Sequence, residues 1–91
     1  MKLTKTDKQI LLNVGYLDED MNQIERATTK TKYTLVDGDT EIKIPQTEAM
    51  ELLGREMYLR ALGRSAFHWN TSREVEGTNK RVRFDSSALF R

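Results

Sequence analysis

The chain has 91 residues, of which 37% are hydrophobic and 32% charged, with a formal net charge of +1 and no cysteine. A chain this short forms a single domain, residues 1–91, whose small core leaves little room for an internal substrate cavity. The lack of cysteine excludes disulfides, thiolate nucleophiles and cysteine-ligated zinc.

Two helices are predicted in the N-terminal part. Residues 6–9 match a capping box, with Thr6 as the N-cap and Gln9 reaching back to it. The apolar residues that follow predict a short helix that ends at Gly15. An acidic run, which complements the positive end of a helix, and apolar residues at helical spacing predict a second helix over residues 18–29.

Residues 31–44 change from a helical to an alternating pattern. Tyr33 and Leu35 occupy alternate positions, residues 37–39 are Asp-Gly-Asp, and the alternation then resumes. An Asp-Gly turn between two alternating segments is a strong signal for a β-hairpin. The sequence therefore predicts a first hairpin here.

A central helix is predicted after this hairpin. Pro45 ends the strand and suits the start of a helix, and residues 46–62 carry an apolar stripe at helical spacing. Gly54 is either a glycine within this helix or a turn between two helices. Gly63 offers a C-terminal end, after which residues 65–70 form either a further short helix or the start of a strand.

Residues 74–84 predict a second hairpin around a turn-rich connector. In its last strand Val82 and Phe84 point to one face, while Arg81 and Arg83 point to the other. A helix-cap cluster and one closing turn end the chain. We therefore predict an α+β fold: a small single domain with two N-terminal helices, a β-hairpin, a central helix or helix-turn-helix, and a C-terminal β-hairpin.

No catalytic, metal or cofactor site is predicted. His68 is the only histidine, and Ser65 lies one helical turn before it, but no neighbouring group would orient the base or form an oxyanion hole. We expect a packed or hydrogen-bonded histidine instead. One histidine without cysteine does not compose a zinc site, residues 37–41 lack the pattern of a calcium loop, and no glycine-rich phosphate loop is present.

The cations are distributed unevenly. The first 45 residues contain six lysines and one arginine, whereas the rest contain seven arginines and one lysine. Arginine suits phosphates, carboxylates and aromatic faces better than lysine does. The candidate contact residues for a nucleic acid or a protein partner are Arg60, Arg64, His68, Trp69, Arg73, Lys80, Arg81 and Arg83. Alternatively, the aromatic residues belong to the core and the arginines pair with Glu48, Glu51, Glu56, Glu74 or Glu76.

Two segments resemble the winged helix-turn-helix of excisionases and other small relatives of the MerR DNA-binding domain. Residues 44–54 are similar to the opening helix of that family, with a threonine before Glu-Ala and Leu-Gly at the turn. Residues 80–89 resemble its basic wing strand, followed by an aspartate and a short closing helix. The resemblance implies that residues 64–73 recognise DNA and that Lys80, Arg81 and Arg83 act as wing contacts.

These observations favour a small, non-enzymatic binding protein, encoded by a phage or other mobile element, that contacts DNA through residues 60–83. The alternative is a protein-interaction module, either a homodimer or an inhibitor of a larger enzyme, that uses the same surface, since arginine, tryptophan and phenylalanine also dominate protein interfaces. No stretch approaches the roughly 18 apolar residues of a membrane span, and no signal peptide pattern opens the chain, so we expect a cytoplasmic location without a membrane partner.

Overall fold

Pairs of helices alternate with pairs of strands along the chain. The computed structural model describes residues 2–90, apart from the side chains of Ala88 and Phe90. The elements are α1 (Lys5–Val14), a 3-10 helix (Asp18–Asp20), α2 (Met21–Lys30), β1 (Lys32–Asp37), β2 (Thr40–Ile44), α3 (Gln46–Leu53), α4 (Arg55–His68), β3 (Asn70–Glu74), β4 (Lys80–Asp85) and a closing 3-10 helix (Ser87–Phe90). The predicted α+β class and both hairpins are confirmed.

The two hairpins form one antiparallel sheet with the strand order β2-β1-β4-β3. β1 and β4 join them, paired from Lys32 opposite Asp85 to Asp37 opposite Lys80. Alternate residues of β4 differ in environment: Val82 is buried, whereas Arg81 is exposed. The helices therefore cover one face of the sheet, and the other face is open to solvent.

An aromatic cluster lies between the sheet and the helices. Tyr33 and Phe84 are opposite each other on β1 and β4, with ring centroids 5.2 Å apart, and Tyr58 of α4 packs against both. The hydroxyls of Tyr33 and Tyr58 are 2.7 Å apart, and the Gln46 side-chain amide donates to the Tyr58 hydroxyl at 2.8 Å. Burial raises the pKa of both phenols, so they remain neutral hydrogen-bonding groups.

The first helix begins two residues earlier than predicted. Thr4 is the N-cap, its hydroxyl accepting from the Asp7 amide at 3.1 Å while the Asp7 carboxylate accepts from the Thr4 amide at 2.9 Å. The predicted cap, Thr6 with Gln9, is therefore wrong. The reason is tertiary: Asp7 is fully buried and also accepts two hydrogen bonds from Arg55 at the start of α4. The predicted end of this helix at Gly15 is confirmed.

The two glycines of the central region have different structural roles. Gly54 separates α3 from α4 with φ 82° and ψ 155°, a conformation that glycine adopts far more readily than other residues. It is therefore the turn between two helices. Gly63, in contrast, does not end a helix as predicted but lies inside α4. A Cβ atom on Gly63 would lie 2.8 Å from the Tyr16 ring, so this glycine allows the loop after α1 to approach α4 closely. Residues 65–68 continue α4, and the next strand begins at Asn70.

The Asp7–Arg55 pair predicts a specific acid sensitivity. The hydrogen bonds from Arg55 lower the pKa of Asp7 below its ordinary 3.8, so the pair stabilises the fold above that pH and loses its effect as pH falls through the lowered value. Arg55→Ala should reduce the free energy of unfolding by about 1–3 kcal/mol at neutral pH and flatten its dependence on pH below about 4. Urea denaturation over a pH series measures both. Arg60→Ala, at an exposed arginine of the same helix, is the matched control, and an equal loss in that variant would contradict the role of the pair.

Gly63→Ala should destabilise the protein. In an exposed helix, alanine normally stabilises the protein by about 1 kcal/mol relative to glycine. Here the added methyl group meets the Tyr16 ring, and overpacking of this kind costs about 1–3 kcal/mol of stability. In a Tyr16→Ala background the same substitution should become neutral or stabilising, because the clash is gone. Thermal unfolding of the wild type, the two single variants and the double variant gives the coupling free energy between Gly63 and Tyr16. A stabilising Gly63→Ala in the wild-type background would show that the two residues do not touch.

Candidate functional site

The candidate Ser65–His68 pair and the possible metal ligands can be located among the described residues. No group of three or more His, Asp or Glu side chains is placed to hold a metal ion in this part of the chain. Ser65 is fully buried and bonded to the Leu62 carbonyl oxygen and the Ser86 hydroxyl, whereas His68 is exposed. The expectation of a packed or hydrogen-bonded histidine is therefore wrong. Among residues 2–90, no helix is long and apolar enough to cross a membrane.

Arg60, Arg64 and His68 form one exposed line along α4, which we call the arginine stripe. They are four residues apart, so successive side chains lie about 6 Å apart along the helix axis. None of the three side chains makes a hydrogen bond or ion pair with another described residue. The alternative interpretation, in which the arginines pair with nearby glutamates, therefore does not hold for Arg60 and Arg64.

The two ends of the stripe differ in charge. At its N-terminal end, Arg60 borders a depression of about 430 Å³ whose other lining residues include Glu56, Met57 and Glu76. Two carboxylates therefore lie beside Arg60. Arg64, one turn later, acts electrostatically on the Tyr16 phenol together with a second cation, Arg73, and one carboxylate, Asp20. The charge close to Arg64 is thus less negative than the charge close to Arg60.

Tyr16 links this part of α4 to β3. Its ring stacks on Phe67 with a centroid distance of 6.1 Å and an interplanar angle of 18°. Burial raises the pKa of the Tyr16 phenol, while the positive charges of Arg64 and Arg73 act in the opposite direction. Arg73 of β3 therefore lies on the same side of the molecule as Arg64. Phe67 is half-buried and packs against the core, so this member of the aromatic segment belongs to the core rather than to the surface.

Trp69 belongs to the surface. It connects α4 to β3, and 56% of its surface is exposed. Its backbone has φ 72° and ψ −61°, the values of the rare γ-turn with positive φ. The Trp69 carbonyl oxygen accepts a hydrogen bond from the Ser86 amide at 2.7 Å. The exposed indole thus stands at the C-terminal end of the arginine stripe on a turn that the end of β4 holds in place.

The remaining candidates lie elsewhere. Arg81 and Arg83 are on the open face of the sheet, as the alternating pattern predicted. Arg83 forms an ion pair with Glu41 at 3.0 Å, and the Arg81 guanidinium donates to the Ser72 hydroxyl at 3.1 Å. Lys80 is half-buried at the start of β4. Seven of the eight residues identified from the sequence therefore fall into two sets on different surfaces, one formed by α4, Trp69 and β3 and one by Arg81 and Arg83, whereas Lys80 shares the face of Val82 and Phe84.

Sequence reasoning missed the residues that support the first set. Tyr16 packs against α4 through Phe67, and Ser86 donates a hydrogen bond to the Trp69 turn. Both residues are far from the stripe in sequence. The one local signal was Gly63, since a glycine within a helical pattern indicates close packing. Comparisons of this chain with protein-family models, curated proteins and solved structures found no match. The function of the surface therefore has to be inferred from its geometry and charge.

Proposed function

We propose that this domain is a small, non-enzymatic protein that binds DNA through the arginine stripe, assisted by Arg73. The observation that carries the proposal is that the Arg60 and Arg64 side chains stand exposed on one helix face without a hydrogen bond or ion pair to another described residue. Guanidinium groups without such a partner can bind an anion without first breaking a contact, and arginine presents a planar fork that fits phosphate oxygens. Cations in a row suit a polyanion better than a small anion.

The stripe is a better DNA contact than β4. Arg83 is paired with Glu41, so binding a phosphate there would first require this ion pair to be broken. Arg81 donates to the Ser72 hydroxyl on this face, and this neutral contact, like that of Arg73 with the Ser72 carbonyl oxygen, leaves the positive charge uncompensated. These two arginines also point away from the helical layer, so they do not face the same ligand surface as Arg64. The resemblance to winged helix-turn-helix domains agrees with this choice in one respect, since it implies that the helix after the glycine turn recognises DNA, and α4 follows Gly54.

A protein partner is less well supported. The core of a protein interface is usually a contiguous apolar area. Among the described side chains, the exposed large hydrophobic residues other than Trp69 are distributed over the end of α1, the following loop, β2 and the first turn of α4. They are Val14, Leu17, Ile42 and Met57. Charge rather than apolar area therefore characterises the surface around the stripe, and charge favours nucleic acid.

The proposal predicts which arginines matter. The double variant R60Q/R64Q should weaken DNA binding about 10- to 100-fold at low salt and reduce the slope of log affinity against log salt by about 2, because each phosphate contact contributes close to one unit. Fluorescence anisotropy with labelled oligonucleotides at several salt concentrations measures both quantities.

The double variant R81Q/R83Q is the matched control, since it removes the same charge from the other surface. It should bind nearly as tightly as the wild type. An equal loss in both variants would assign binding to overall charge or to β4, and no binding by the wild-type protein at low salt would refute the proposed function.

A further inference from the structure

We propose, on the basis of the function proposed above, that Trp69 stacks on an unpaired base and that the ligand of the arginine stripe is therefore single-stranded DNA. Trp69 is the only tryptophan of the chain. A tryptophan that packs in a core removes a large apolar area from water, but this one leaves 56% of its surface exposed. Its side chain thus contributes less to the fold than its size allows.

The backbone at this position gives a second reason. Among the described residues, the other positions with positive φ are all glycines, at 15, 38, 54 and 77. Glycine has no Cβ and adopts this region without strain, whereas Trp69 has φ 72° and carries a bulky side chain there. Folding alone would be served better by glycine. A large aromatic side chain at a strained and exposed position is therefore best explained by contact with a ligand.

The turn that carries Trp69 is also well anchored. The Ser86 amide donates to the Trp69 carbonyl oxygen at 2.7 Å, and the Ser86 hydroxyl is itself bonded to the buried hydroxyls of Thr31 and Ser65. Directly after the turn, Asn70 pairs with Asp85. The main chain is thus held at the Trp69 carbonyl oxygen and at the residue that follows it, so presenting the indole to a ligand requires little further ordering.

The surroundings of Trp69 match the needs of a single strand. Proteins that bind single-stranded DNA combine cations along the backbone with aromatic side chains on which bases stack. Here His68 and Arg64 precede Trp69 on the exposed face of α4, and Arg73 follows it on β3. Bases inside a duplex are already stacked on each other and do not offer a free face to a surface indole. An unpaired base next to a phosphate that Arg64 binds offers such a face.

The experiment compares Trp69→Phe and Trp69→Gly with the wild type. The probes are a thymidine oligomer of about 12 nucleotides and a duplex of the same length. Because Trp69 is the only tryptophan, quenching of the intrinsic fluorescence reports stacking in the wild type directly. The affinities of all three proteins are compared by fluorescence anisotropy of the labelled probes. We expect quenching by the single strand. Trp69→Gly should bind the single strand roughly 5- to 150-fold more weakly, the range for loss of one stacked base, and Trp69→Phe should keep most of the affinity.

Thermal unfolding separates this role from a structural one. Trp69→Gly should keep or raise Tm, because glycine relieves the positive φ, and its affinity for the duplex should not change. A marked fall in Tm would assign Trp69 to the fold and overturn the proposal. So would a single-strand affinity unchanged in Trp69→Gly, or one lost equally in both variants.

The two proposals fail in different ways. If R60Q/R64Q weakens binding while both Trp69 variants bind like the wild type, the arginine stripe binds DNA and the stacking proposal is wrong. If the wild type binds neither probe at low salt, the proposed function itself fails and the stacking proposal fails with it.

Discussion

The pairing of β1 with β4 is the interaction on which the rest of this fold depends. The two strands belong to different hairpins, and their register runs from Lys32 opposite Asp85 to the turn ends of both hairpins. This register brings Tyr33 beside Phe84 and creates the aromatic surface on which Tyr58 of α4 packs. Without it, two separate two-stranded hairpins would each be too small to bury a face. With it, one sheet carries the whole helical layer.

The same pairing determines the end of the molecule where the candidate site lies. Because β1 and β4 are antiparallel, the residue before β1 and the residue after β4 meet at one end of this strand pair. The C-terminal end of α4 reaches the same end of the sheet. The hydroxyls of Thr31, Ser65 and Ser86 form a buried hydrogen-bonded group there. Buried hydroxyls must find partners, and these three satisfy one another. The Ser86 amide remains directed at Trp69, so the fold itself fixes the conformation of the exposed turn.

The sequence predicted those features that depend on neighbours along the chain. The first hairpin followed from alternation around an Asp-Gly turn, and the two faces of the last strand followed from alternation alone. The predicted cap of the first helix is wrong because Asp7, which completes the actual capping box, is bonded to Arg55, a residue far along the chain. The prediction of a helix end at Gly63 is wrong because the contact that requires a glycine there, with Tyr16, is tertiary. The candidate arginines were identified, but their division between two surfaces depended on a turn at Trp69 that no local pattern indicates.

A net charge of +1 does not argue against a nucleic-acid ligand for this domain. At physiological salt, exposed charges are screened beyond roughly 8 Å, so a phosphate bound at the stripe would respond to the nearby charges, which include Arg64, Arg73 and Asp20, rather than to the net charge of the domain. A near-neutral domain with a short row of cations is poorly suited to hold DNA by counterion release alone. The affinity for DNA that we propose must then come in part from a contact that salt does not weaken. An exposed indole beside the cations supplies such a contact, and this is why the charge distribution and the conformation of Trp69 point to the same ligand.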